Sequence, residues 1–126
     1  MSSKRLFYRC GLCGNIVGLI HDGGGELVCC GQPMTLLVAN TSDGAAEKHV
    51  PAGTRDGNKL KVAVGSVPHP MTEAHYIQWI CIAQGNHTQR IALEPNQAPA
   101  ADFIVDDGPV TIYEYCNLHG LWMSDL

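Results

Sequence analysis

A thiol and an imidazole stand three residues apart in Glu114-Tyr115-Cys116-Asn117-Leu118-His119-Gly120, where a β-rich pattern breaks into a glycine-containing turn. Three more histidines, His49, His69 and His75, precede them along the chain. Thiolate and neutral imidazole both suit first-row transition metals. A structural zinc site fills its tetrahedron with four ligands, so one cysteine and four histidines point instead to a square-based site with an open sixth position. That is an arrangement for chemistry. His69 lies between Pro68 and Pro70, whose rings restrict its backbone, and His75 comes just ahead of a strand-like run that starts at Tyr76. His21 and His87 fall in Gly- or Asn-rich turns and read as solvated loop residues.

A second constellation, Cys10-x2-Cys13-x15-Cys29-Cys30, has the make-up of a four-thiolate tetrahedral site. Its plainest reading is a zinc ribbon. The adjacent Cys29-Cys30 pair departs from a ribbon's second Cys-x2-Cys knuckle, because neighbouring thiols must splay to reach one ion. Iron, as in a rubredoxin-like centre, tolerates that distortion and adds redox activity. Both metals stay open on these residues alone. Cys81 alternates with Ile77 and Trp79 in a strand pattern and reads as a buried small hydrophobe.

Positioning these ligands falls to a chain of 126 residues, 45% of them apolar, with 14 Gly and 7 Pro scattered throughout. This is a globular, turn-rich, mostly β composition. Residues 1–37 contain the four clustered cysteines and too little apolar surface to fold alone, so metal binding must supply much of their folding free energy. Asn40 to Thr54 reads as a linker running into a loop. In residues 38–126, Val-, Ile- and Thr-rich runs at Lys59 to Val64, Tyr76 to Ala83, Thr88 to Leu93, Asp102 to Val105 and Val110 to Tyr115 predict an antiparallel sandwich. No window has a sustained helical period, and Met71 to Ala74 has room for about one turn.

The net charge of -4 and the lack of a Lys/Arg cluster argue against nucleic acid as a partner. The N-terminus has no signal-peptide core and nothing later resembles a membrane span, so the expected compartment is the cytoplasm, where six cysteines serve as ligands or redox thiols rather than disulfides.

Taken in order, Cys10-x2-Cys13, Cys29-Cys30, Glu47-Lys48-His49-Val50-Pro51, His69-Pro70-Met71, His75-Tyr76-Ile77-x-Trp79-Ile80 and Cys116-Asn117-x-His119-Gly120 resemble the desulfoferrodoxins, the two-iron superoxide reductases. The resemblance spans nearly the whole chain and its ordered motifs are specific. It implies a desulforedoxin-like domain holding one iron on Cys10, Cys13, Cys29 and Cys30, followed by an immunoglobulin-like β-sandwich holding a catalytic iron. His49, His69, His75 and His119 would be equatorial ligands and Cys116 axial. It further implies that Glu47 can take the sixth position on oxidised iron and that Lys48 attracts the anionic substrate. A homodimer and a rubredoxin-like electron donor, in an anaerobic or microaerophilic microbe, are also implied.

The residues suit that reaction. Ferrous iron with four neutral imidazoles and one thiolate carries a formal charge of about +1 and draws an anion into an acidic chain. A thiolate opposite the open position raises electron density on the metal. Two non-catalytic alternatives remain: a rubredoxin-like electron carrier, and a structural zinc ribbon fused to a β-sandwich.

Overall fold

A computed structural model describes residues 5–42 and 44–126. The chain separates into two compact units, one ending at Val38 and the other running from Ala39 to Leu126. Among the described residues the first contains five short strands: β1 (Leu6–Arg9), β2 (Ile16–Leu19), β3 (Val28–Cys29), β4 (Gln32–Pro33) and β5 (Thr35–Leu36). They form a three-stranded sheet, β2-β1-β5, and a β3-β4 hairpin. Phe7 and Cys10 are buried in this unit, while Leu12, Val17, Ile20, Val28, Leu36 and Val38 are exposed. So little covered apolar surface falls short of offsetting the chain entropy lost on ordering.

The second unit is a sandwich of two antiparallel sheets. One has the order β10 (Ala100–Ile104), β7 (Lys59–Val64), β6 (Pro51–Asp56). The other has the order β12 (Gly120–Asp125), β11 (Thr111–Cys116), β8 (Ile77–Gln84), β9 (His87–Ala92). Strict alternation on β7, with Leu60, Val62 and Val64 buried and Lys59, Lys61 and Ala63 exposed, turns one face of the first sheet inward. Ile80 and Ile82 on β8 and Ile112 on β11 meet it from the second sheet, and with Phe103, Val105 and Val110 they form the core. The sheets are also tied by polar contact, since Ser124 Oγ donates to the Pro51 carbonyl at 2.6 Å.

Two expectations change. The stretch from Asn40 to Thr54 is not all linker and loop: it contains the one-turn helix α1 (Ala46–His49) and the start of β6. Pro51 and Gly53 are poor strand formers, yet β6 is a sheet edge, where a missing N–H does no harm to a ladder. Met71 to Ala74 is not helical; Thr72 and His75 instead exchange backbone hydrogen bonds at 2.9 and 3.2 Å across a tight turn. Among the described residues no helix is long and apolar enough to cross a membrane.

Candidate metal centres

Five residues from four places in the sandwich converge. His49 closes α1, His69 and His75 lie in the β7–β8 connection, Cys116 ends β11, and His119 sits in the turn before β12. Their ligand atoms all lie within 4.8 Å of one another. The imidazoles form a ring. His49 to His69, His69 to His75, His75 to His119 and His119 to His49 have centroid separations of 4.6, 4.6, 5.0 and 4.7 Å. Each neighbouring pair is steeply inclined, at 70 to 84°. His49 and His75, across the ring, are 6.4 Å apart and inclined at 30°. That is a square of donors.

The spacing tests whether a metal fits. His49 Nε2 is 3.0 Å from both His69 Nε2 and His119 Nδ1. Two nitrogens at right angles, each about 2.1 Å from one ion, stand about 3.0 Å apart, whereas a tetrahedral pair stands about 3.4 Å apart. The cage is therefore square rather than tetrahedral. His75 Nε2 is buried with no hydrogen-bond partner, a state costly for a polar atom and relieved by a metal bond. Burial lowers the pKa values of His49, His69 and His75, that of His69 to about 4, so these rings are neutral and ready to ligate at neutral pH.

The surroundings aim these rings. The His49 Nδ1 position is 2.8 Å from the Ala45 carbonyl and that of His69 is 2.6 Å from the Pro70 carbonyl, which leaves each Nε2 for the metal. Asn117 anchors the neighbouring loop: its side chain accepts from Tyr76 N at 2.9 Å and donates to the Ala74 carbonyl at 3.0 Å. Gly65 lets the end of β7 press against α1, because a Cβ there would stand 2.7 Å from the Lys48 carbonyl carbon. Val67 N and Ser66 Oγ donate to the Glu47 carbonyl at 2.9 and 3.3 Å.

Cys116 is wholly buried and belongs to the hydrophobic core, so its sulfur reaches the cage from the interior, 3.8 Å from His119 Nδ1. On the solvent side a cavity of about 580 Å³ is lined by Gly44, Ala45, Lys48, His49, Pro70, His75 and His119. Lys48 thus stands at the mouth. Glu47 is exposed on α1 and does not line that cavity. Glu114, two positions before Cys116 on the same face of β11, is completely buried with no partner for either carboxylate oxygen, and burial pushes its pKa up to about 9. Period-two alternation along β11 turns Glu114 to the same side as the core residues Ile112 and Cys116.

In the first unit, Cys10, Cys13, Cys29 and Cys30 converge within the same 4.8 Å limit. Cys13 and Cys29 sulfurs are 3.6 Å apart and Cys29 and Cys30 sulfurs 3.9 Å apart. Tetrahedral sulfurs each about 2.3 Å from one ion stand about 3.8 Å apart, so this cage fits a single metal. Cys30 takes a left-handed φ of 55°, which is how adjacent thiols come to face one point. Backbone N–H groups of Cys13 and Leu12 lower the Cys10 pKa to about 6, while the crowding of Cys13, Cys29 and Cys10 pushes Cys30 up to about 12. Four thiolates need a cation here. His21 and His87 lie exposed and outside both cages, and Cys81 is buried.

A β-sandwich with a four-imidazole, one-thiolate cage, and a four-thiolate unit in the same chain, define a two-centre non-haem metalloprotein. Family models for the desulfoferrodoxin N-terminal domain and for desulfoferrodoxin match residues 2–37 and 41–125. The chain is 51% identical over 125 residues to a desulfoferrodoxin of Syntrophotalea carbinolica, covering 99% of each chain. It is also 51% identical over 124 residues to a desulfoferrodoxin homolog of Archaeoglobus fulgidus, covering 98% of this chain and 99% of the other. The crystal structure of the superoxide reductase from Treponema pallidum superposes with a TM-score of 0.78 at 33% identity, covering 97% of this chain and 99% of that one. The chain belongs to the desulfoferrodoxin family and is an oxidoreductase. Its two cages are the four-cysteine and the four-histidine, one-cysteine iron centres.

Proposed function

We propose that this chain is a superoxide reductase that converts superoxide, one electron and two protons into hydrogen peroxide without releasing dioxygen. The observation that carries this reading is the square of imidazoles with a buried thiol behind it and a lysine-lined opening in front. Similarity to the Treponema superoxide reductase over nearly the full chain supports it.

Iron held by His49, His69, His75, His119 and Cys116 supplies one-electron redox chemistry. Cys116 places its negative charge on the interior side, where low polarity strengthens its effect. Lys48, exposed at the cavity mouth, draws the superoxide anion toward the opening and offers N–H donors to the reduced product. Glu47, next to Lys48 on α1, lies outside the cavity lining, and its carboxylate would have to swing to the opening to serve as a ligand of oxidised iron. Cys10, Cys13, Cys29 and Cys30 would hold the other iron, whose chemistry there would be storing or relaying electrons rather than binding substrate. A rubredoxin-like protein is the proposed electron donor, and a homodimer in the cytoplasm the proposed working form.

The deciding experiment reduces the iron-loaded protein beforehand, keeps it in excess over superoxide generated by pulse radiolysis, and follows peroxide and dioxygen together. One peroxide per superoxide with no dioxygen is expected. Half a dioxygen per superoxide would mean dismutation and overturn the proposal.

A further inference from the structure

Two neighbouring corners of the imidazole square come from separate elements, His49 from α1 and His119 from the turn into β12. Trp122 touches both. Its ring stacks on that of His49 with centroids 5.0 Å apart and planes inclined at 25°. Its indole N–H donates to the His119 carbonyl at 3.0 Å. The side chain is 4% exposed, and a Cβ on Gly44 would lie 3.1 Å from the His49 ring and 3.1 Å from Trp122, so the pair is packed on a further side. Ser42 Oγ donates to the same His119 carbonyl.

The choice of ring nitrogen makes this contact consequential. His119 presents Nδ1 to the cage, the nitrogen next to the ring carbon that carries the side chain. That atom is tethered to the backbone through fewer bonds than Nε2, so movement of the residue 119 backbone passes almost directly to the ligand atom. His49 presents Nε2 from the far side of its ring, where a small rotation about the Cα–Cβ bond swings it furthest. A hydrogen bond to the backbone of one residue and a stacked plane on the other are the constraints these two ligand modes require.

We propose that Trp122 is a positioning residue for the reaction, one that sets the angle between the His49 and His119 imidazoles by holding a ring on one side and a carbonyl on the other. The proposal rests on the superoxide reductase reading for its functional consequence and on geometry alone for its structural one.

The test compares Trp122→Phe, which keeps a stacking ring and loses the N–H, with Trp122→Leu, which loses both. Cobalt(II) loaded into the histidine cage reports coordination geometry through its visible d–d bands, independently of turnover. Both variants are expected to bind one cobalt there with displaced bands, Leu more than Phe. Loaded with iron, they should show a shifted midpoint potential and a superoxide rate roughly 10-fold lower, with peroxide still the product. If the Leu variant fails to fold, the Phe variant decides. Cobalt bands and iron potential identical to the parent, with only a lowered Tm, would reduce Trp122 to core packing and overturn the proposal. Parent protein that leaves superoxide untouched would overturn the functional reading, while displaced bands would still establish the positioning role.

Discussion

Gly65 lies against the peptide that joins Glu47 to Lys48, so closely that a Cβ on it would overlap the Glu47 carbonyl oxygen and stand 2.7 Å from the Lys48 carbonyl carbon. The end of β7 therefore serves as the seat of α1, and α1 carries both the lysine at the cavity mouth and the ligand His49. Gly65→Ala must push backbone against backbone. A loss of stability of about 1–3 kcal/mol is expected from this overpacking, together with iron lost from the histidine cage while the cysteine cage stays loaded. Thermal unfolding and metal analysis of the separated signals check it, and unchanged iron binding would show that α1 shifts as a rigid piece without disturbing the cage.

Glu114 gives a pH prediction with a definite sign. In the folded chain burial keeps its proton up to about 9, whereas an unfolded chain releases it near the ordinary 4.5. Between those values the unfolded chain binds fewer protons, so this residue's contribution to stability falls as pH rises. Glu114→Gln should be more stable than the parent by a margin that grows from pH 5 to pH 8, on the order of 3 kcal/mol at pH 7. Urea unfolding across that range measures the margin; a difference independent of pH would mean that Glu114 has another partner.

Lys48 stands at the opening and is exposed. Its charge acts on the approach of an anion, so Lys48→Ala should lower the second-order rate with superoxide roughly 10-fold and flatten its dependence on ionic strength. Iron content and Tm should stay as in the parent. Pulse radiolysis at several salt concentrations separates this from a purely local effect, because an unchanged salt slope would remove Lys48 from steering.

Removing metal should act on the two units differently. The described residues up to Val38 bury Phe7 and Cys10 but leave six large apolar side chains exposed, so the thiolate cage is their main source of order. Chelation under reducing conditions should abolish amide protection from hydrogen exchange in β1, β2 and β5 and leave β7, β8 and β11 protected. Retained protection in β1 would show that its short sheet folds without metal.

Much of the site is legible in the sequence. His49, His69, His75, Cys116 and His119 were recoverable because ligand chemistry restricts residue type, and five such residues in one sandwich meet in the predicted square. The strand from Lys59 to Val64 was equally plain, since its alternation is uninterrupted. β6 was hidden because Pro51 and Gly53 occupy its inward positions and are acceptable only at a sheet edge. β12 was hidden because it follows at once from the turn that carries His119, and α1 because one turn is too short to show a period. The roles of Gly65 and Trp122 depend on approach between elements distant in sequence, which no local pattern encodes.

The contrast between a sandwich with its own core and a cysteine unit nearly without one carries a consequence for iron supply. Under iron starvation the histidine cage still has a folded scaffold waiting for its ion, while the cysteine cage must recruit an ion from a chain that is not yet ordered. Scarcity would thus yield half-loaded molecules that retain the substrate-facing iron. On the proposed roles, the centre that stores electrons would empty before the one that meets substrate.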